Sequence, residues 1–127
     1  MKMKKSLICL LMALITLTAF KEGEKKITVF MIGDSTMANK SITGGKPERG
    51  WGHVLGGFFT EDIIVDNHAV NGRSSKSFID EGRWDKVLSR IKPGDYVVIQ
   101  FGHNDEKPNP DRHTDPGTTF DANLSRF

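Results

Sequence analysis

The chain has 127 residues, with 18 Lys and Arg against 16 Asp and Glu, four His and one cysteine. Lys2, Lys4 and Lys5 stand ahead of an apolar N-terminal stretch, and without them the balance is 15 basic to 16 acidic, which excludes the positive excess of a nucleic-acid or anionic-membrane binder. Cys9 lies inside that stretch, so the rest of the chain has no thiol, disulfide or cysteine metal site.

Residues 1–20 combine a basic start with an apolar segment, 6–20, too short for a comfortable membrane span. They are expected to form a secretory signal peptide, with Ala19 as the small residue before the cut. The product would then be secreted or periplasmic, without a stable membrane anchor. Residues 21–127 are expected to be one domain, opening on the charged lead-in KEGEKK at 21–26.

Residues 27–32 (ITVFMI) form a near-continuous apolar run ending at Gly33, as in a strand buried on both faces of a parallel sheet. Residues 39–50 are rich in Gly, Ser, Thr and Lys and read as a loop. Trp51, Val54, Leu55, Phe58 and Phe59 share one helical face, which predicts a helix there with Trp51 in the core, although Gly52, Gly56 and Gly57 oppose it. Residues 63–65 predict a second strand. Trp84, Val87, Leu88 and Ile91 predict a second helix, stopped by Pro93-Gly94, and residues 95–101 a third strand. The order β, α, β, α, β implies an α/β fold with a right-handed parallel sheet and helices on both faces.

Thr118-Thr119-Phe120-Asp121 resembles a capping box, and Phe120, Leu124 and Phe127 begin an apolar stripe. The sequence stops with that stripe barely started, and an open three-stranded sheet leaves an edge and a face uncovered. It is therefore expected to be truncated after about three strands.

Ser35 follows the first strand, Gly72 the second and Asn104 the third, and ligands of open α/β sheets bind beyond the carboxyl ends of the strands. Each residue alone has a plainer reading: Ser35 as the cap of a short helix, Gly72 as a turn glycine, Asn104 as a loop hydrogen-bonder. Together, GDST at 33–36, VNGRSS at 70–75 and FGHND at 101–105 resemble the GDSL/SGNH hydrolases, and within them the carbohydrate esterases of rhamnogalacturonan acetylesterase type. The resemblance spans residues 27–127. It implies a three-layer α/β/α sandwich of flavodoxin-like SGNH hydrolase type, of which this chain would be the N-terminal portion.

By this resemblance Ser35 is the nucleophile, and the Ser35 and Gly72 N–H groups with the Asn104 amide form the oxyanion hole. Asp34, Arg73 and His103 are candidate substrate-side residues; Asp34 is further expected to anchor its loop through backbone N–H groups, and His103 to be structural or to border the pocket. The family takes its base from a C-terminal D-x-x-H block. This sequence has none; Asp111-Arg112-His113 is one residue short and instead resembles a loop of the acetylesterase subgroup. His53 and His68 read as surface or helix-edge residues.

The implied function is a secreted serine esterase that removes acetyl groups from a polysaccharide through an acyl-Ser35 intermediate. Without its Asp/His pair the chain by itself is expected to be nearly inactive. No cofactor or metal is expected, since neither a zinc spacing nor a dinucleotide fingerprint is present. One alternative is a carbohydrate-binding relative without catalysis. A second is a phosphate binder at residues 33–36, for which Gly44-Gly45-Lys46-Pro47 fails the Walker pattern.

Overall fold

The computed structural model describes residues 26–45 and 47–127, so the leader and most of the charged lead-in lie outside the described residues. Three parallel strands, β1 (Ile27–Gly33), β2 (Ile63–Asn67) and β3 (Tyr96–Gln100), form one sheet in the order β2-β1-β3. Ile27 pairs with Ile63 on one side of β1 and Val29 with Tyr96 on the other. The central position of β1 explains why its sequence does not alternate: Val29 to Gly33 are all buried, so both faces demand apolar side chains.

Each face of the sheet carries its own core. On one, Phe30 and Ile32 meet Phe78, Trp84 and Val87, joined by Ile91, Val97, Phe101 and Phe127. The last aromatic pairs there are close, with Phe101 and Phe127 stacked at 5.4 Å and Trp84 edge-on to Phe127 at 5.3 Å. On the opposite face Val29, Met31 and Met37 pack with Leu55, Ile63, Val65, Ala69 and Val98. Layers therefore lie on both sides of the sheet, as expected for an α/β sandwich.

The helices are shorter than the sequence suggests. The predicted helix at 51–59 is a single turn, α1 (Trp51–Val54), continued by a 3-10 turn at Leu55–Phe58. Its apolar face is not a core face: Trp51 is 41% exposed and Phe58 81%, and only Leu55 packs inward. Gly52 explains the geometry, because a Cβ there would lie 2.6 Å from both the Asn67 side chain and the Met37 carbonyl. The segment approaches the sheet through backbone, and its large side chains turn outward.

After β2 comes a helix that periodicity did not reveal, α2 (Ser75–Asp80). Ser74 and Ser77 form a reciprocal capping box at its start, so the serines of VNGRSS begin a helix. The predicted 84–91 helix is α3 (Arg83–Leu88), which leaves Leu88 53% exposed. The last helix, α4 (Thr119–Arg126), has Thr118 at its N-cap, but the Thr118 side chain makes no cap hydrogen bond. The Thr118 hydroxyl donates backwards to the Asp115 carbonyl at 3.2 Å, so the expected capping box does not form. Among the described residues no helix is long and apolar enough to cross a membrane.

Phe78 is fully buried against Phe101 and Phe127, whereas Phe58 is largely in solvent. Phe78→Ala is expected to cost about 3 to 5 kcal/mol in a urea titration, and Phe58→Ala less than about 0.5 kcal/mol. Equal costs would contradict this assignment of the core.

Candidate active site

Gly33 ends β1 where a side chain cannot fit, since a Cβ would lie 2.6 Å from the Gln100 carbonyl of β3. The chain then turns sharply rather than entering a helix. The Asp34 carbonyl accepts from the N–H groups of Met37 (3.3 Å) and Ala38 (3.0 Å), closing one turn around Ser35 and Thr36. Asp34 is fully buried. Its Oδ1 accepts from the Thr36 N–H at 2.9 Å and from Gln100 Nε2 at 3.1 Å, and the Thr36 hydroxyl lies between Asp34 Oδ1 and Gln100 Oε1. Asp34 thus holds the turn, and its burial removes it from the candidate substrate-binding residues.

The turn is backed from outside by the 39–50 loop. Trp51 N–H donates to the Thr36 carbonyl at 2.9 Å, and a Cβ on Gly50 would lie 2.1 Å from the Ala38 carbonyl. Within this frame Ser35 is partly exposed, and among the described residues neither its hydroxyl nor its N–H has a hydrogen-bond partner.

Hydrogen bonding continues past the end of β2. His68 N–H donates to the Met31 carbonyl and Val70 N–H to the Gly33 carbonyl, at 2.8 and 2.9 Å. Val70 is thereby fixed beside the residue that leads into Ser35. A turn closed by Arg73 N–H and the Val70 carbonyl (3.3 Å) follows, and Gly72 within it has φ 74°, a conformation that favours glycine. Its N–H also has no acceptor among the described residues.

Asn104 joins this group from β3. It is 2% exposed, and one Nδ2 hydrogen donates to the carbonyl of Arg73, the neighbour of Gly72, at 3.1 Å. A carboxamide has two N–H donors, so one is fixed in the fold and one remains available. The fold therefore gathers Ser35, Gly72 and Asn104 at the carboxyl edge of the sheet, beside the point where β1 leads to neighbours on either side.

The family profile of GDSL-like lipases/acylhydrolases matches residues 31–127. The chain belongs to this family. A rhamnogalacturonan acetylesterase of Bacillus subtilis (strain 168) is 45% identical over 104 residues, covering 82% of this chain and 43% of that protein. A probable rhamnogalacturonan acetylesterase of the same organism is 40% identical over 100 residues, covering 78% and 45%. The crystal structure of protein YxiM from Bacillus subtilis matches with a TM-score of 0.60 at 33% identity, covering 65% of this chain and 24% of that one. The chain thus spans less than half the length of these relatives.

Other candidates are placed differently by this GDSL-like fold. Arg73 is committed to Glu81, with Nε 3.1 Å from Oε1, and to the Asn71 carbonyl at 3.2 Å, so it braces the Gly72 turn instead of facing a substrate. Partial burial raises the Glu81 pKa, but hydrogen bonds and charge from Arg83 and Arg73 outweigh it and hold the carboxyl below its ordinary range. His103 has a 60% exposed side chain and meets Glu106 at 3.3 Å, a surface pair rather than a site contact.

The remaining histidines are also occupied. His113 places one ring nitrogen near the Lys107 carbonyl and the other near Asp115, at 3.1 and 3.2 Å. His53 Nδ1 accepts from Lys40 N–H, and His68 Nε2 lies between Asp66 and Arg90. Among the described residues no histidine is hydrogen-bonded to Ser35, and no group of three His, Cys, Asp or Glu side chains is placed to hold a metal.

Asp105, the last residue of FGHND, is the functional neighbour that the sequence reading passed over. Its 3%-exposed carboxylate accepts from Ser75 N–H at 3.0 Å, Gly102 N–H at 3.1 Å, the Thr114 hydroxyl at 3.0 Å and the Ser75 hydroxyl. It ties α2, the end of β3 and the 107–114 loop together, and so sets where Asn104 points. Its position beside Asn104 in the motif was the available signal.

Asp105→Ala would leave the buried Ser75 N–H and the part-buried Gly102 N–H without acceptors and is expected to cost about 3 kcal/mol or more. Thr114→Val removes a single donor and is expected to cost about 1 kcal/mol. Chemical denaturation of both variants measures the difference; a mild Asp105→Ala would refute the role given to this carboxylate.

Proposed function

We propose that this chain carries the nucleophile and oxyanion hole of a serine esterase that removes O-acetyl groups from a polysaccharide, in the manner named for its rhamnogalacturonan acetylesterase relatives. The observation that carries the reading is the convergence at one sheet edge of a hydroxyl and two N–H groups that have no partner among the described residues and of a half-used carboxamide. Acyl transfer needs this set: a nucleophile, and fixed donors facing the oxygen that becomes negative in the transition state.

In this reading Ser35 Oγ attacks the acetyl carbonyl. The carbonyl oxygen, now negative, accepts from Ser35 N–H, Gly72 N–H and the spare Asn104 N–H. The intermediate collapses by expelling the sugar hydroxyl, leaving acetyl-Ser35, and water then releases acetate and restores the serine. Ser35 must lose its proton in the first step, and the leaving sugar oxygen must gain one. The sequence contains no D-x-x-H, so the base is assigned to a histidine outside these 127 residues. Residues 1–20 are assigned to export, which makes an extracellular or periplasmic polysaccharide accessible.

Joining residues 21–127 to the C-terminal half of the Bacillus subtilis relative tests the reading. The chimera is expected to release acetate from acetylated rhamnogalacturonan, Ser35→Ala to abolish release, and Asn104→Ala to lower kcat by about 10² to 10³. The 127-residue chain alone is expected to retain only the residual catalysis of binding and oxyanion stabilisation, about 10³ to 10⁴ over water in a serine-hydrolase template. Undiminished activity in Ser35→Ala would overturn the assignment. Sugar binding without any Ser35-dependent turnover would favour a purely carbohydrate-binding role.

A further inference from the structure

The structure assigns to Arg112 the recognition of a substrate carboxylate next to the ester being cleaved. This deepens the esterase reading and rests on it for the place of the ester. Three observations carry it.

The guanidinium lies directly over the oxyanion-hole glycine. A Cβ built on Gly72 would sit 3.6 Å from one terminal nitrogen of Arg112 and 3.9 Å from the other, so the guanidinium faces the side of Gly72 that a side chain would occupy. Any acyl group bound by the Gly72 N–H is therefore within reach of this cation.

The guanidinium is also unmatched. Arg73 and Arg83 share Glu81, and Arg90 lies 2.8 Å from Asp66. Arg112 is half-buried, yet among the described residues no carboxylate or hydrogen-bond acceptor meets its side chain. A partly desolvated guanidinium with five unused donors favours an anionic partner, and its fork matches a carboxylate in two parallel hydrogen bonds.

Its position is fixed by the fold rather than by a flexible stem alone. Arg112 N–H and His113 N–H both donate to the Asn109 carbonyl, at 2.9 and 2.8 Å. Lys76 Nζ from α2 donates to the Pro110 carbonyl at 2.6 Å, and Thr114 is bound to Asp105 through both N–H and hydroxyl. The loop is clamped on either side of Arg112, so little ordering is needed when an anion binds. The chemistry that fits is an acetylated uronic acid unit, whose ring carries both the acetyl ester and a carboxylate; a neutral acetylated sugar leaves the guanidinium without its partner.

The test compares binding of two probes to the 127-residue chain by titration calorimetry: a partly O-acetylated galacturonic acid oligomer, and the same oligomer with its carboxyls methyl-esterified. The acid is expected to bind about tenfold tighter, as one charge-assisted carboxylate contact supplies, and the preference to fall with salt. Arg112→Gln is expected to bring the two affinities together, Arg112→Lys to keep part of the preference, and Lys92→Gln, at the opposite end of the sheet, to keep all of it. Circular dichroism verifies that each variant is folded. Equal affinities in the unaltered chain, no binding of either probe, an undiminished preference in Arg112→Gln, or its loss in Lys92→Gln would each overturn the inference. Labelling of Ser35 by a fluorophosphonate in the chimera separates the two readings. Labelling without charge preference removes the role of Arg112 alone, and an Arg112-dependent preference without labelling removes the esterase reading alone.

Discussion

A carboxylate with no cation beside it among the described residues sits at the junction of three segments. Asp105 is nearly inaccessible to water, and burying a charge in this way is tolerated only when hydrogen bonds replace its hydration. Here the replacement comes from Ser75 N–H, Gly102 N–H and the hydroxyls of Ser75 and Thr114. The four donors come from three parts of the site: the helix after the Gly72 turn, the end of β3, and the loop that carries Arg112. Asn123 of α4 adds a hydrogen bond to the Ser75 hydroxyl at 3.1 Å, so the last helix is tied to the same point. Because a carboxylate offers acceptors only, the arrangement has one satisfied geometry.

The Ser35 side of the site depends on a second acidic residue in a parallel role. Asp34 fixes its turn through the Thr36 N–H and Gln100, and Gly33 lets β1 approach β3 closely enough for that contact. The two carboxylates serve one end: Asp34 through Oδ1 and Asp105 through both oxygens hold their neighbours, and the adjacent residue, Ser35 or Asn104, keeps a donor free among the described residues. Hydrogen bonds that would otherwise quench those groups have been taken up elsewhere. Preorganised donors of this kind require no rearrangement when charge develops on a substrate.

Legibility of the chain varied with the kind of signal. β1 was plain because a strand buried on both faces needs apolar residues throughout, and 27–33 provides them. The segment at 51–58 misled because its apolar periodicity belongs to a face that points outward; Gly52 brings backbone rather than a side chain close to the Met37 carbonyl and Asn67, and Gly56 lies against Val65 of β2. Helix α2 escaped notice for the opposite reason, since six residues are too few for periodicity and only the paired serines of its capping box marked it. Arg73 and Arg112 show the same limit within the site. Both are arginines near motif residues, and nothing in the string says that the guanidinium of one has Glu81 as partner while that of the other has none among the described residues.

By itself the sequence determined the family and the parallel α/β plan, and it proposed the three residues on which the chemistry is expected to turn, because these rest on short motifs that each follow a strand. Which groups are free to act was decided by tertiary structure alone. Availability is a matter of what else lies within hydrogen-bonding distance, and the partners that engage Asp34, Arg73 and Asp105, and among the described residues leave the Ser35 hydroxyl, the Gly72 N–H and the Arg112 guanidinium unengaged, come from segments far apart in the chain.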